Sequence, residues 1–114
     1  MLKGCVIGLG AMGSNHARVL YELQEEAKIK LIGVADVKED RAKEAANKYS
    51  VEWFTDYKML LKKNPDFAII TVPTELHREV ALEAINKGCH VLVEKPLAYT
   101  LEDGRKIVDT AKKK

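Results

Sequence analysis

The stretch that decides the fold, Val6–Arg18, reads V-I-G-L-G-A-M-G-S-N-H-A-R and contains a glycine motif of the form G-x-G-x-x-G. It follows a short apolar run, Leu2–Ile7, and leads into residues with a helical apolar period at Met12, Val19, Leu20 and Leu23. A glycine motif between a predicted strand and a predicted helix is typical of a loop that holds a dinucleotide pyrophosphate. A glycine-rich turn without a ligand is the alternative.

The three glycines have different physical roles in such a loop. Gly8 allows a tight turn, and Gly10 lets backbone N–H groups approach a pyrophosphate without a Cβ between them. Gly13 lets the helix pack closely on the strand, and the helix N-terminus adds partial positive charge. The motif therefore predicts a binding site for an anionic dinucleotide.

Asp36 ends the second predicted strand, Ile29–Ala35, and supports the dinucleotide interpretation. Its carboxylate would accept hydrogen bonds from the ribose hydroxyls of the adenosine and would repel a 2′-phosphate. We therefore expect NAD as the cofactor, with NADP less favoured. Lys38 and Arg41 could weaken that preference, although a solvated helix face explains them more simply.

Short apolar runs alternate with helical segments along the rest of the chain, which predicts a parallel sheet covered by helices. Further strands are expected at Val51–Phe54, Phe67–Val72 and His90–Val93, and helices at Glu39–Tyr49, near Leu61, at Glu75–Lys87 after a Thr74 cap, and at Leu101–Ala111. The predicted fold is a Rossmann-type, doubly wound α/β domain of five strands in the order 3-2-1-4-5, with helices on both faces.

Composition excludes several other classes of protein. The chain has 114 residues, 46% of them hydrophobic, and a formal net charge of +2, which indicates one soluble globular domain without a basic face for nucleic acid. The longest uncharged stretch, Gly4–Ala17, is too short to span a bilayer. Cys5 and Cys89 fit no metal spacing and are expected to be buried, unpaired thiols. We therefore expect a cytoplasmic protein with no metal site and no membrane or nucleic-acid partner.

A second group of polar residues, Glu94-Lys95-Pro96, follows the fifth predicted strand. Since open α/β sheets bind ligands beyond the carboxyl ends of their strands, Lys95 would lie in the same crevice as the glycine motif. A partly desolvated ammonium could bind a substrate hydroxyl or move its proton. A lysine that simply extends from a strand end into solvent explains the residue equally well.

None of the three histidines is predicted to be a general base. His16 falls on the apolar stripe of the first helix and is expected to pack against the sheet, and His90 is expected to pack at the start of its strand. His77 begins a helix beside the crevice and is the one histidine that could contact a ligand.

The motif stretch, together with V-A-D-V, I-T-V-P-T-E-L-H and H-V-L-V-E-K-P-L-A, resembles the amino-terminal domain of the Gfo/Idh/MocA oxidoreductases, in particular archaeal-type UDP-N-acetylglucosamine 3-dehydrogenases. The resemblance implies NAD(P)-dependent oxidation or reduction of a secondary alcohol on a sugar, polyol or sugar nucleotide. It implies that Lys95 contacts the substrate and assists proton transfer. The residues expected at the cofactor are Gly8, Leu9, Gly10, Ala11, Met12, Gly13, Asp36, Val37, Val72, Pro73, His77, Glu94 and Lys95.

The chain departs from this family's pattern at Lys114, before the sixth strand and the substrate domain that supplies the catalytic histidine. We therefore expect residues 1–114 to be a dinucleotide-binding domain that is not catalytic alone. One hypothesis is the cofactor domain of a sugar-type dehydrogenase, and the other is a stand-alone NAD-binding sensor or interaction module. In either case the edge of His90–Val93 is expected to support homo-oligomer formation.

Overall fold

The computed structural model describes residues 2–24, 29–73 and 76–93, which form a five-stranded parallel sheet with helices on both faces. The strands are β1 (Leu2–Ile7), β2 (Ile29–Ala35), β3 (Glu52–Phe54), β4 (Phe67–Ile70) and β5 (His90–Val93). The helices are α1 (Ala11–Leu23), α2 (Glu39–Tyr49), α3 (Tyr57–Leu61) and α4 (His77–Asn86). The strand order β3-β2-β1-β4-β5 confirms the predicted doubly wound fold.

The two faces of the sheet bury separate apolar cores, because alternate residues of a strand point to opposite sides. Val6 and Ile69 belong to the core shared with α1 and α2. Ile7 and Ile70 belong to the core shared with α3 and α4. Burial on both faces explains why these strands are nearly continuous apolar runs in the sequence.

Helix α1 approaches the sheet through its smallest residues. Gly13 and Ala17 are buried together with Leu20, whereas Leu23, which the periodicity placed on the same face, is 38% exposed. The predicted face was wrong at that position because closest approach requires Gly13, rather than a larger side chain, to point at the sheet. His16 is half-buried on α1.

Strand β4 ends at Ile70, two residues before the predicted Val72. Its neighbour β1 pairs as far as Ile7 with Ile70 and then turns away at Gly8. The Thr71 N–H still donates to the Ile7 carbonyl at 2.9 Å, but β1 does not pair beyond Ile7, so the last two predicted residues enter the loop that follows β4.

Helix α4 begins at His77 rather than at Glu75. Directly before it, the Leu76 N–H donates a 2.8 Å hydrogen bond to the Pro73 carbonyl. The predicted Thr74 cap lies outside the described residues. Gly88 has a φ of +84° directly after the helix, which confirms its predicted role as the C-terminal stop.

Strand β5 lies at one edge of the described sheet. Val91 and Val93 pack against the core below α4, whereas His90 and Leu92 point to the opposite side and are exposed. The prediction that His90 packs was wrong, because α1 covers β1 and β2 on that side of the sheet. The predicted last helix, Leu101–Ala111, lies outside the described residues.

Candidate functional site

A cleft of about 730 Å³ opens at the carboxyl ends of the central strands. It lies where the chain connections leave β1 in one direction and β4 in the other, which is the point at which open α/β sheets bind ligands. Eight of the residues expected at a cofactor line it: Gly8, Leu9, Gly10, Asp36, Val37, Val72, Pro73 and His77. The fold thus brings the glycine loop, the end of β2 and the segment after β4 to one place.

Gly8 makes the turn that carries the chain from β1 to α1. Its φ is +98°, in the region that favours glycine, and its N–H donates to the Ala35 carbonyl at 2.8 Å. A Cβ at this position would also lie 2.8 Å from the Thr71 carbonyl oxygen. Both the backbone conformation and the space require glycine here.

The other two motif glycines differ sharply in their surroundings. A Cβ on Gly13 would lie 1.8 Å from the Gly8 carbonyl oxygen, which confirms that this glycine permits close packing of α1. A Cβ on Gly10 would meet no atom of the described residues within 4 Å, and its φ of −68° suits any residue. The described residues around position 10 therefore leave room for a larger side chain than glycine. The open space above it fits the approach of a ligand.

The N-terminus of α1 borders this open space. Gly10 is its N-cap and provides no side-chain hydrogen bond, and the first turn contains no acidic residue. The backbone N–H groups of the first turn, which includes Ala11 and Met12, have no carbonyl partner within the helix. Together with the helix dipole they favour an anion at this end of the cleft.

The Asp36 carboxylate binds the backbone of the glycine loop and of the segment after β2. Its Oδ2 accepts a hydrogen bond from the Leu9 N–H at 2.8 Å, and its Oδ1 accepts one from the Lys38 N–H at 2.8 Å. The side chain is only 7% exposed, and Arg41 Nη1 lies 3.9 Å from Oδ2. Arg41 therefore belongs to the cleft wall, not only to a solvated helix face as the simpler interpretation had it.

Apolar side chains form the walls of the cleft mouth. Val37 is 83% exposed and Leu76 is 40% exposed, and both line the cleft near the exposed Pro73. Exposed aliphatic side chains that line one cleft can pack against a planar apolar group of a ligand and bury it.

His77 has a structural role in the cleft floor. Its ring is 2% exposed, and Nε2 lies 2.8 Å from the Val72 carbonyl oxygen. Since a carbonyl only accepts, Nε2 carries the proton and donates it to this bond. This nitrogen ties α4 to the loop after β4, so it is not free to act as a base.

Sequence reasoning missed Thr71 and Tyr57, which also line the cleft. The Thr71 hydroxyl donates to the Gly8 carbonyl at 2.7 Å. The Tyr57 hydroxyl is buried without a hydrogen-bond partner among the described residues. Burial, followed by the charges of Glu79 and Glu83, raises the pKa of Tyr57 to about 12. The position of Thr71 directly after a central strand was a usable signal, because such residues face the ligand crevice.

Glu94 and Lys95 lie outside the described residues, so their predicted places in the cleft stay predictions. Cys5 and Cys89 are buried and unpaired, as expected, and burial raises the pKa of both thiols. Within residues 2–24, 29–73 and 76–93, no three His, Cys, Asp or Glu side chains are grouped to hold a metal ion. The helices in the same ranges are too short or too polar to cross a membrane.

Comparison with known families agrees with this geometry. The pattern of the Gfo/Idh/MocA oxidoreductase family, described as an NAD-binding Rossmann fold, matches residues 2–114. The chain belongs to the Gfo/Idh/MocA family. The G-x-G-x-x-G loop, Asp36 and the cleft between them are therefore parts of a known dinucleotide-binding fold.

The relatives of this chain include proteins named as polyol and sugar-nucleotide dehydrogenases. Inositol 2-dehydrogenase from Salmonella typhimurium is 34% identical over 115 residues, covering 98% of this chain and 34% of that protein. The structure of UDP-N-acetylglucosamine 3-dehydrogenase GnnA from Acidithiobacillus ferrooxidans has a TM-score of 0.89 and 30% identity, covering 98% of this chain and 35% of its own.

A second similar structure contains ligands. The WlbA dehydrogenase from Chromobacterium violaceum, in complex with NADH and UDP-GlcNAcA, has a TM-score of 0.91 and 28% identity, covering 98% of this chain and 32% of its own. The chain thus spans about a third of the length of the relatives that it matches.

Proposed function

We propose that this chain is the NAD-binding domain of a dehydrogenase that acts on CH–OH groups of a sugar, polyol or sugar nucleotide. The observation that carries the proposal is the open space at Gly10, between the N-terminus of α1 and the Asp36 carboxylate. The packing of the described residues does not require glycine at that position. A ligand with an anionic centre and a hydroxyl-bearing group on one side matches the donors and acceptors around it.

Three parts of the cleft would hold three parts of NAD. The first-turn N–H groups of α1 and the backbone at Gly10 would hold the pyrophosphate, and the Asp36 carboxylate would accept hydrogen bonds from the adenosine ribose. The adenine would lie between the apolar side chains of Val37 and Leu76, which are exposed in the free chain. Each contact uses a group that already faces the cleft.

Cofactor choice tests this assignment at Asp36. We expect NADH to bind more tightly than NADPH, because a 2′-phosphate would meet the Asp36 carboxylate. Fluorescence or calorimetric titration with both nucleotides measures the ratio of the two Kd values, and Asp36→Ser should lower the preference for NADH at least about tenfold. Asp40→Ser is the matched control, since Asp40 is an exposed acid in the first turn of α2 that does not line the cleft. Absence of NADH binding at millimolar concentration would refute the proposed function.

The chemical step is proposed for Lys95, on the basis of the family resemblance. When bound, the nicotinamide supplies the hydride acceptor or donor. The Lys95 ammonium would bind the substrate hydroxyl and assist transfer of its proton. In the protein that carries this domain together with a substrate-binding partner domain, Lys95→Ala should strongly reduce kcat and leave NADH affinity unchanged. Lys87→Ala, at an exposed lysine after α4, should change neither quantity.

The 114 residues alone are expected to bind NADH weakly and to show no turnover, because they do not hold a substrate carbon against the nicotinamide. Turnover of roughly 1 s⁻¹ or faster on sugars or sugar nucleotides would contradict this part of the proposal.

We also propose a cytoplasmic location and self-association through β5. Buried, unpaired Cys5 and Cys89 suit a reducing compartment. Strand β5 lies at the edge of the described sheet and carries Leu92, which is 55% exposed. Sedimentation over a concentration series should detect dimers of the wild type and fewer dimers of Leu92→Lys. A wild type that stays monomeric at millimolar concentration would rule out this interface.

A further inference from the structure

The peptide group between Gly8 and Leu9 is held at both of its polar ends by side chains from other elements. Its carbonyl oxygen accepts a hydrogen bond from the Thr71 hydroxyl at 2.7 Å. Its N–H donates to Asp36 Oδ2 at 2.8 Å. Because the C=O and N–H of a trans peptide point in opposite directions, these two bonds together fix the orientation of the peptide plane.

The Thr71 side is fitted closely to the glycine motif. Thr71 follows β4, where its own N–H donates to the Ile7 carbonyl at 2.9 Å. Its Oγ1 lies 2.9 Å from the place of a Cβ on Gly8 and 2.5 Å from the place of a Cβ on Gly13. The hydroxyl therefore occupies the space that these two glycines leave open, at the junction of β1, β4 and α1.

Such a restraint has a physical reason in this loop. Gly8 has access to conformations of both φ signs at little cost, so local sterics do not select one orientation of the peptide that follows it. A rotated peptide would displace Gly10 and the start of α1, which border the open space in the cleft. A ligand pays less to bind when these groups are already oriented.

We propose that Thr71 is a positioning residue of the dinucleotide site, which fixes the Gly8–Leu9 peptide and thereby the loop that faces the pyrophosphate. The ligand part of this inference rests on the proposed function. Thr71 acts through the Gly8 carbonyl and not by contact with the ligand, whereas Asp36 has both roles.

The test compares Thr71→Val, which removes the hydroxyl and keeps the shape, with Thr71→Ser, which keeps the hydroxyl. Calorimetry measures the Kd of NADH, of ADP as a ligand with a pyrophosphate, and of adenosine as a ligand without one. We expect roughly tenfold weaker binding of NADH and ADP to the valine variant, the usual effect of one lost hydrogen bond. Adenosine should be unaffected, and the serine variant should behave like the wild type.

Amide hydrogen exchange in the ligand-free chain tests the loop directly. Exchange of the Leu9 N–H should be about tenfold faster in Thr71→Val than in Thr71→Ser. The Val51 N–H, bonded to the Ala46 carbonyl at 3.2 Å after α2, is the control amide and should not change. If the valine variant does not fold, Thr71→Ala provides the same comparison with Thr71→Ser.

The outcomes separate the inference from the proposed function. Unchanged Leu9 exchange and unchanged ADP affinity in the valine variant would overturn the role of Thr71. Equal acceleration at Val51, or equal losses for adenosine and ADP, would also overturn it by showing a general effect on stability. If the wild type binds neither NADH nor ADP while Leu9 exchange still responds to the hydroxyl, the proposed function fails and the restraint on the loop stands.

Discussion

Alanine substitutions at Gly13 and Gly10 should have opposite consequences. In Gly13→Ala the new Cβ would lie 1.8 Å from the Gly8 carbonyl oxygen. An ordinary contact between carbon and oxygen is about 3.3 Å, so α1 would have to move away by about 1.5 Å. Overpacking usually costs about 1–3 kcal/mol, and a displacement of this size against backbone belongs at the upper end of that range or above it, which is a large part of the stability of a small domain. We expect Gly13→Ala to lose at least about 3 kcal/mol in the free energy of unfolding.

In Gly10→Ala the new Cβ would meet no atom within 4 Å in the part of the chain that the structure describes. The φ of −68° suits alanine, and only the modest preference for glycine at an N-cap is lost. We expect the free energy of unfolding to change by less than about 1 kcal/mol. The affinity for NADH should fall at least tenfold, about 1.4 kcal/mol, because the methyl group lies where the pyrophosphate approaches.

Urea unfolding measures both stabilities, with fluorescence of Trp53, the single tryptophan of the chain, as the signal. Titration with NADH then measures the affinity of each variant, without urea and at a temperature where that variant is folded. The reasoning would be refuted if Gly10→Ala bound NADH as tightly as the wild type, or if it unfolded as readily as Gly13→Ala. A Gly13→Ala variant with wild-type stability would contradict the close packing of α1.

Two further predictions concern buried groups. Since the Tyr57 hydroxyl has no partner among the described residues, Tyr57→Phe should be as stable as the wild type or up to about 1 kcal/mol more stable in urea at pH 7. Burial raises the Tyr57 pKa from 10 to about 12, so the unfolded chain loses this proton at a lower pH than the folded chain does. The wild type should therefore lose stability between pH 10 and 12 more steeply than Tyr57→Phe. Parallel pH profiles of the two proteins would contradict this prediction. Burial also raises the pKa of Cys89 from 9 to about 11, and it raises the pKa of Cys5 further. Neither thiol should therefore react with a disulfide reagent at pH 8 until the chain unfolds. Rapid labelling of the native chain would contradict this prediction.

Much of the fold could be predicted from sequence because its rules are local. Strands buried on two faces are short apolar runs, and the strands β1 and β2 have the predicted bounds. The edge strand β5 also has its predicted bounds, although one of its faces is exposed. Glycine roles were also predictable, since a turn with positive φ at Gly8 and a close approach at Gly13 are each met by one residue type. The position of Asp36 at the cleft could be predicted because this residue directly follows the second strand.

The site depended on the sequence for its motif and on the tertiary structure for its contacts. The Thr71 hydroxyl donates to the Gly8 carbonyl, 63 positions away in the chain, and a local sequence pattern cannot predict a contact between residues so far apart. His77 could be placed beside the cleft from its position, but only the fold directs its ring to the Val72 carbonyl. The exposed side of β5 at His90 was likewise decided by which strands α1 covers. Local patterns fix the backbone conformation of single elements, whereas hydrogen bonds between elements depend on how those elements pack, and packing is a property of the whole chain.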